Sequence, residues 1–301
     1  MIAPWVLITC LAAFAQALRF MFQKQLTASG LSTAGATFAR FFFAAPFVVV
    51  IAIRYGMSSG YGLPSLPNVF WGYVVVGGMS QILATMCVVA LFSMRNFAAG
   101  ITFKKTEVLL SVFIGFIILG DVITMPALIA MLVGLGGVLL LADPPQATGP
   151  WHKRILNKAV LLGLSSGLFF GLSGVNYRGA SLSIEEGDTF YRAIVAMAFV
   201  VVFQFATMCV WLKWREVGQI TAVLRAWRGV SLVGLTSMIG TICWFSAFTL
   251  QSAGYVNAVG QIELLFSIGI GMLVFGEKIS VREWQGLTML TASIVMLVLV
   301  A

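Results

Sequence analysis

Hydrophobic positions along this chain do not alternate with polar ones as they would in a half-buried strand. They collect in blocks of about 20 residues, the length a helix needs to cross about 30 Å of hydrocarbon. Ten such blocks occur, at 4–22, 34–53, 71–92, 96–119, 124–142, 157–177, 189–211, 229–250, 255–275 and 281–300. Lipid offers no partner to an open backbone N–H or C=O, so each block is predicted as a membrane-spanning helix. The connections are mostly short. Gly62-Leu63-Pro64-Ser65-Leu66-Pro67 precedes the third block, and Asp143-Pro144-Pro145 opens the longest, basic linker. Ser280 followed by Glu283 has capping-box spacing for the last helix, which gives Glu283 a structural role.

The pattern also repeats. At an offset of 156 residues the third to fifth blocks align with the eighth to tenth without a gap. Gly78, Thr85, Cys87 and Phe92 fall on Gly234, Thr241, Cys243 and Phe248. Glu107, Ser111, Gly115 and Gly120 fall on Glu263, Ser267, Gly271 and Gly276, and Asp121 matches Glu277 by charge. At a slightly shorter offset Thr37-Phe38-Ala39-Arg40 meets Thr189-Phe190-Tyr191-Arg192. The prediction is an all-α membrane protein of ten transmembrane helices, built as one five-helix unit over 1–142, a basic linker over 143–156 and a second unit over 157–301. Because five is odd, the second unit enters the membrane from the opposite side. Inverted pairs of this kind give secondary transporters two packings of similar energy with a site between the halves.

Composition agrees. Sixty per cent of the 301 residues are hydrophobic and 9% charged, against about 25% charged in a soluble domain, which excludes a soluble enzyme and a disordered chain. The net charge of +8 forms no continuous stripe, so nucleic acid is not an expected partner. Lys24, Arg95, Lys153, Arg154, Lys158, Lys213, Arg215, Arg225, Arg228, Lys278 and Arg282 share one side of the predicted topology, with only Arg54 and Arg178 opposite. The positive-inside rule makes the first side cytoplasmic and puts both termini outside. Cys10, Cys87, Cys209 and Cys243 lie singly in apolar blocks and read as packing residues. The first block lacks a basic leader and a small-residue cleavage site, and is expected to stay as a span.

Phe275-Gly276-Glu277-Lys278-Ile279-Ser280, followed by Glu283-Trp284-Gln285-Gly286, resembles the junction between the last two spans of EamA-type proteins in the drug/metabolite transporter superfamily. Leu119-Gly120-Asp121 is its first-half copy, and the resemblance covers essentially the whole chain. It implies a secondary active carrier in a bacterial inner membrane, often an exporter of amino acids or related metabolites, with a central cavity between the repeats. One departure stands out. Members often carry a proline midway along the fourth and ninth spans, where this chain has Phe103-Lys104-Lys105-Thr106-Glu107 and Val259-Gly260-Gln261-Ile262-Glu263.

Those two stretches hold the candidate chemistry. At about 1.5 Å per residue, Lys104, Lys105, Glu107 and Glu263 lie about 12–17 Å into their spans, near the midplane, where a charge costs about 2.5–3.5 kcal/mol on insertion scales. Two readings stand. Lys104 and Glu107 share a helix face and can form a local ion pair that neutralises itself. Alternatively Glu107 and Glu263 face a cavity, where desolvation suits a carboxylate to carry a coupling proton. Gly260 and Gln261 replace the lysines in the second half, and an ammonium in a dry cavity favours an anionic group, which leans the substrate toward amino acids or organic acids. Arg40 and Arg192 either gate opposite mouths or snorkel to headgroups. Gly163, Gly167, Gly171 and Gly174 form a small-residue stripe for close packing or sliding. Trp5, Trp71, Trp151, Trp211, Trp214 and Trp227 fall near interfaces, and Trp244 is deep enough to line the cavity.

An intramembrane enzyme is disfavoured. The single histidine is His152 in the linker and every aspartate lies at a span end or loop, so no His-based metal site, Ser-His pair or aspartyl dyad is expected. No cofactor is expected. Lys105-Thr106 lacks the glycine a phosphate-binding loop requires. The expected partners are a small-molecule substrate, membrane lipid and protons as the coupling ion, in a monomer or homodimer. A lipid-like substrate flippase or a channel is the rival reading.

Overall fold

The computed structural model describes residues 3–62, 64–92, 104–142, 158–266, 268–269 and 281–300. Every described element is helical: α1 (Pro4–Ala28), α2 (Thr33–Ser58), α3 (Asn68–Leu91), α4 (Glu107–Leu119), α5 (Met125–Ala142), α6 (Lys158–Leu182), α7 (Thr189–Arg215), α8 (Gln219–Arg225), α9 (Trp227–Leu250), α10 (Ala253–Gly260) and α11 (Val281–Val300). The helix ends are set by local chemistry. Ser32 Oγ accepts from the Gly35 N–H at 2.9 Å at the start of α2, and Asp188 Oδ1 from the Tyr191 N–H at 2.8 Å at the start of α7. Gly120, at φ +69°, closes α4 in a left-handed turn that a side chain would strain.

Among the described residues, six helices (α1, α2, α3, α6, α7 and α9) are long and apolar enough to cross a membrane, and Glu107–Leu119, Met125–Leu140 and Trp284–Val300 are shorter apolar helices. Together they account for an all-helical fold with several apolar spans. Blocks four and nine are not continuous helices in the described residues, and 96–103 and 270–275 fall outside them. So do the linker 143–156 and the whole 275–280 stretch of the junction, with the Ser280 cap. A short amphipathic addition, α8, occupies a stretch read as a plain loop.

Packing is interleaved. α3 lies along α6 and α1 along α9, while α2 pairs with α7 and α5 with α11. Exchanging the repeat-related helices leaves this set of pairs unchanged. The perimeter is apolar, with Phe47, Phe113, Leu161 and Val210 turned outward, whereas Gln23, Gln81, Gln204 and Thr85 are buried. That polarity is the reverse of a water-soluble bundle and suits a lipid surround. Trp71, Trp211, Trp214 and Trp227 are exposed as expected, but Trp5 is buried edge-on against Tyr255, their rings 6.4 Å apart. The four cysteines are free.

Candidate functional site

Two helix breaks define the centre. After Lys104 the chain makes a turn at Lys105-Thr106 before α4 begins, and after α10 it turns at Gln261-Ile262 before resuming at Glu263. These positions are related by the 156-residue offset. At the second break the tighter i→i+3 pattern replaces the α-helical one: Gln261 N–H donates to Ala258 O at 3.3 Å, Ile262 to Val259 at 3.0 Å and Leu264 to Gln261 at 2.9 Å. At the first, Gly167 of α6 sits against the turn, where a Cβ would lie 2.7 Å from both Lys104 O and Thr106 Oγ1. Gly171 similarly backs Ser111 and Glu107, and Gly174 the Phe248 ring. Gly167 and Gly171 therefore seat α6 on the interrupted helix, while Gly174 makes room for α9. Irregular backbone at membrane depth is tolerated where protein buries it, and it is where carriers place their sites.

The breaks bring four predicted residues together. Lys105 Nζ donates to Glu263 Oε2 at 2.9 Å, and Lys104 Nζ lies 3.5 Å from the same oxygen and 3.6 Å from Glu107 Oε1. Both early readings thus meet in one cluster: the local Lys104–Glu107 pair exists, and Glu263 joins it across the repeats. Lys104 also rests over the Phe170 ring, 4.7 Å from its centroid. From α1, Gln16 Nε2 donates to Glu263 Oε2 at 3.0 Å, and Arg19 Nη2 to Gln16 Oε1 at 3.2 Å.

Arg40 neither snorkels nor sits at a mouth. It is buried, donating from Nε to Ser237 at 2.9 Å, from Nη1 to Thr85 at 3.1 Å and from Nη2 to Thr241 at 3.3 Å. Gln81, with its amide nitrogen toward Ser173, accepts from both Nη atoms at 2.6 and 3.1 Å. Thr85 and Thr241 are repeat partners, so the guanidinium is held by equivalent hydroxyls of α3 and α9. Arg40, Glu107, Glu263, Trp244 and Asn257 line a common cavity. Its free space is about 30 Å³, room for little more than water. Trp244 stacks on Phe248 with centroids 5.6 Å apart, and its ring covers Gly260.

Closures lie toward both ends. Arg178 Nε meets Asp121 Oδ2 at 3.2 Å and its Nη1 donates to Phe248 O at 2.8 Å. At the α2 start, the Ser32 hydroxyl donates to Glu216 and the Ser32 N–H to Gln219 at 3.2 Å. Of the predicted residues, Lys104 and Lys105 reach the site only through their ion pairs and do not line the cavity, and two others stand apart from the cluster altogether. Arg192 stays half-buried in the first turn of α7, and Gln261 is buried beside Gly134 of α5. Sequence reasoning missed Gln16 and Arg19. Their signal was present: Gln16, Arg19 and Gln23 fall on one face of an otherwise apolar block.

Interrupted helices around buried charge are a setting in which membrane proteins form polar sites. The EamA-like transporter family matches residues 3–142 and 157–299. The chain belongs to that family, within the drug/metabolite transporter superfamily. An uncharacterized protein of Corynebacterium glutamicum is 27% identical over 177 residues, 58% of this chain and 46% of that protein, so the match spans about half the relative's length. An "uncharacterized transporter in cobO 3′ region" of a Sinorhizobium species is 24% identical over 135 residues, 44% of this chain and 92% of its own. A solved crystal structure superposes over all of both chains with a TM-score of 0.69 at 15% identity, which shows the fold alone.

Proposed function

We propose that the protein is a secondary active carrier, working as an exporter of small organic metabolites such as amino acids or organic acids across a bacterial inner membrane. Its ten spans form two inverted five-helix units, 1–142 and 157–301 joined by 143–156, that exchange roles to open the cavity to either side. The observation that carries this reading is the meeting of Lys104, Lys105 and Glu107 from one unit with Glu263 from the other at two repeat-related helix breaks. A charge cluster spanning both halves at a double hinge links occupancy of the site to the packing of the halves.

Protons are the proposed coupling ion, and Glu107 is the carboxylate that carries them. Glu263 is engaged by two lysines and Gln16, whereas Glu107 has one lysine at 3.6 Å and faces the cavity. The test is counterflow of a mixed metabolite panel in proteoliposomes, read by mass spectrometry, for wild type and Glu107→Gln. The expected result is exchange by both proteins, with net movement driven by a pH gradient lost in the variant. Unchanged pH-driven movement rejects the coupling role. Lipid scrambling without metabolite exchange replaces the carrier with a flippase, and non-saturable flux replaces it with a channel.

A further inference from the structure

We propose that Arg40 is the anion-recognition residue of the central cavity and that the transported class is a small organic dianion, a dicarboxylate or a phosphate monoester, with Arg19 supplying the second positive charge. This rests on the carrier reading and narrows it.

Among the described residues, six charged side chains, Arg19, Arg40, Lys104, Lys105, Glu107 and Glu263, are buried at the centre, each 1–7% exposed. Four cations against two carboxylates leave two positive charges among them. The lysines and glutamates account for one another through ion pairs of 2.9–3.6 Å. The arginines have no such compensation: among the described residues neither has a carboxylate within ion-pair distance. Among the described residues, Arg40 donates only to hydroxyls and an amide oxygen, and Arg19 makes one hydrogen bond, to Gln16, with its Nη1 left without a partner. An uncompensated buried cation is costly in a membrane protein and marks a substrate or ion path.

The chemistry of the cradle selects an oxyanion. A guanidinium presents a planar fork matched to carboxylate or phosphate oxygens. The hydroxyls of Thr85, Ser237 and Thr241 around it each carry a proton that can turn from one acceptor to another, so they donate to an anion as readily as they now accept from Arg40. Arg40 lines the cavity while the lysines do not, so a ligand meets Arg40 first; Arg19 also stands behind the lining, linked to it through Gln16, and acts on the ligand by its charge and not by contact. Charge then separates the candidates. A zwitterionic amino acid brings no net charge and leaves the excess of two, a monoanion leaves one, and a dianion cancels it.

The experiment uses the whole protein in proteoliposomes, with counterflow of malate and glycerol 3-phosphate compared with leucine, phenylalanine and lactate. In parallel, the Tm of the wild type in detergent is titrated with each compound, a readout that depends on no variant folding. Malate or glycerol 3-phosphate should exchange roughly tenfold or more faster than the zwitterions and raise Tm, and R40Q should remove that exchange, since the ligand's anionic group loses its charged partner. R40K, which keeps the charge without the fork, should retain a small part of it. R19Q should shift preference toward lactate. If zwitterions exchange and dianions neither exchange nor raise Tm, the carrier survives and the dianion assignment is overturned. Dianion exchange by R40Q at the wild-type rate overturns the role of Arg40. If nothing exchanges in the wild type the carrier reading fails, and the Tm titration still decides the dianion site on its own.

Discussion

Glu263 is the residue on which most of the buried charge depends, because both lysines and Gln16 converge on one of its oxygens. Removing its charge strands Lys105 in the interior, and breaking a buried pair typically costs about 3–5 kcal/mol. Glu263→Gln should therefore lower Tm in detergent more than Glu107→Gln, which loses a single 3.6 Å contact; equal losses would show that the pairs are equivalent. Asp188 offers the complementary case outside the spans. The Tyr191 backbone N–H and then the Tyr55 hydroxyl hold its carboxyl below the usual range. A lowered folded-state value gives stability that is present above the unfolded value of about 3.9 and lost as pH falls through the folded one. Tm of the wild type should fall in that acid window, and Asp188→Asn, which keeps a capping oxygen, should flatten that part of the curve.

At the scale of elements, the breaks beside α4 and α10 depend on close approach more than on composition. Gly167 admits the backbone of the first break, and Gly260 admits the Trp244 ring at the second, where a Cβ would fall 2.5 Å from it. Gly167→Ala should cost about 1–3 kcal/mol by overpacking and slow counterflow. Gly260→Ala should displace Trp244, read as a shift in tryptophan fluorescence, with altered substrate affinity. No proline is needed at either position: tightened turns at Lys105-Thr106 and Gln261-Ile262 interrupt the helices where the family often uses an imino acid.

For the molecule as a whole, the cavity lies between two ties, Arg178 with Asp121 and Ser32 with Glu216. Alternating access requires that they open in turn. Arg178→Gln should raise the labelling rate of a cysteine placed at Ser173, in a cysteine-free background, from the face that Arg178 occupies, and Glu216→Gln should raise it from the other. Labelling from a single face in both variants would show that one tie is merely structural. The same reagents, applied to cysteines at Ser29 and Met57 in intact cells, decide whether the basic side is cytoplasmic.

The apolar blocks, their lengths and the 156-residue repeat were legible in the sequence because a hydrocarbon surround imposes one requirement on every span, and because related halves keep their glycines and acids in register. Glu107, Glu263 and the two lysines were legible for the same reason: charge inside an apolar block is costly enough to mark a site. Other features could not be read one block at a time. Arg40 looked like a residue near a helix start because depth along one helix says nothing of what its neighbours cover. Its burial depends on Thr85, Ser237 and Thr241 arriving from α3 and α9. The breaks near Lys105 and Gln261 were hidden too, since unbroken apolar composition favours helix locally and only packing against α6 and α9 makes the turns the better solution. Local hydrophobicity determined which segments leave water; the pairing of helices from opposite halves decided which charges meet.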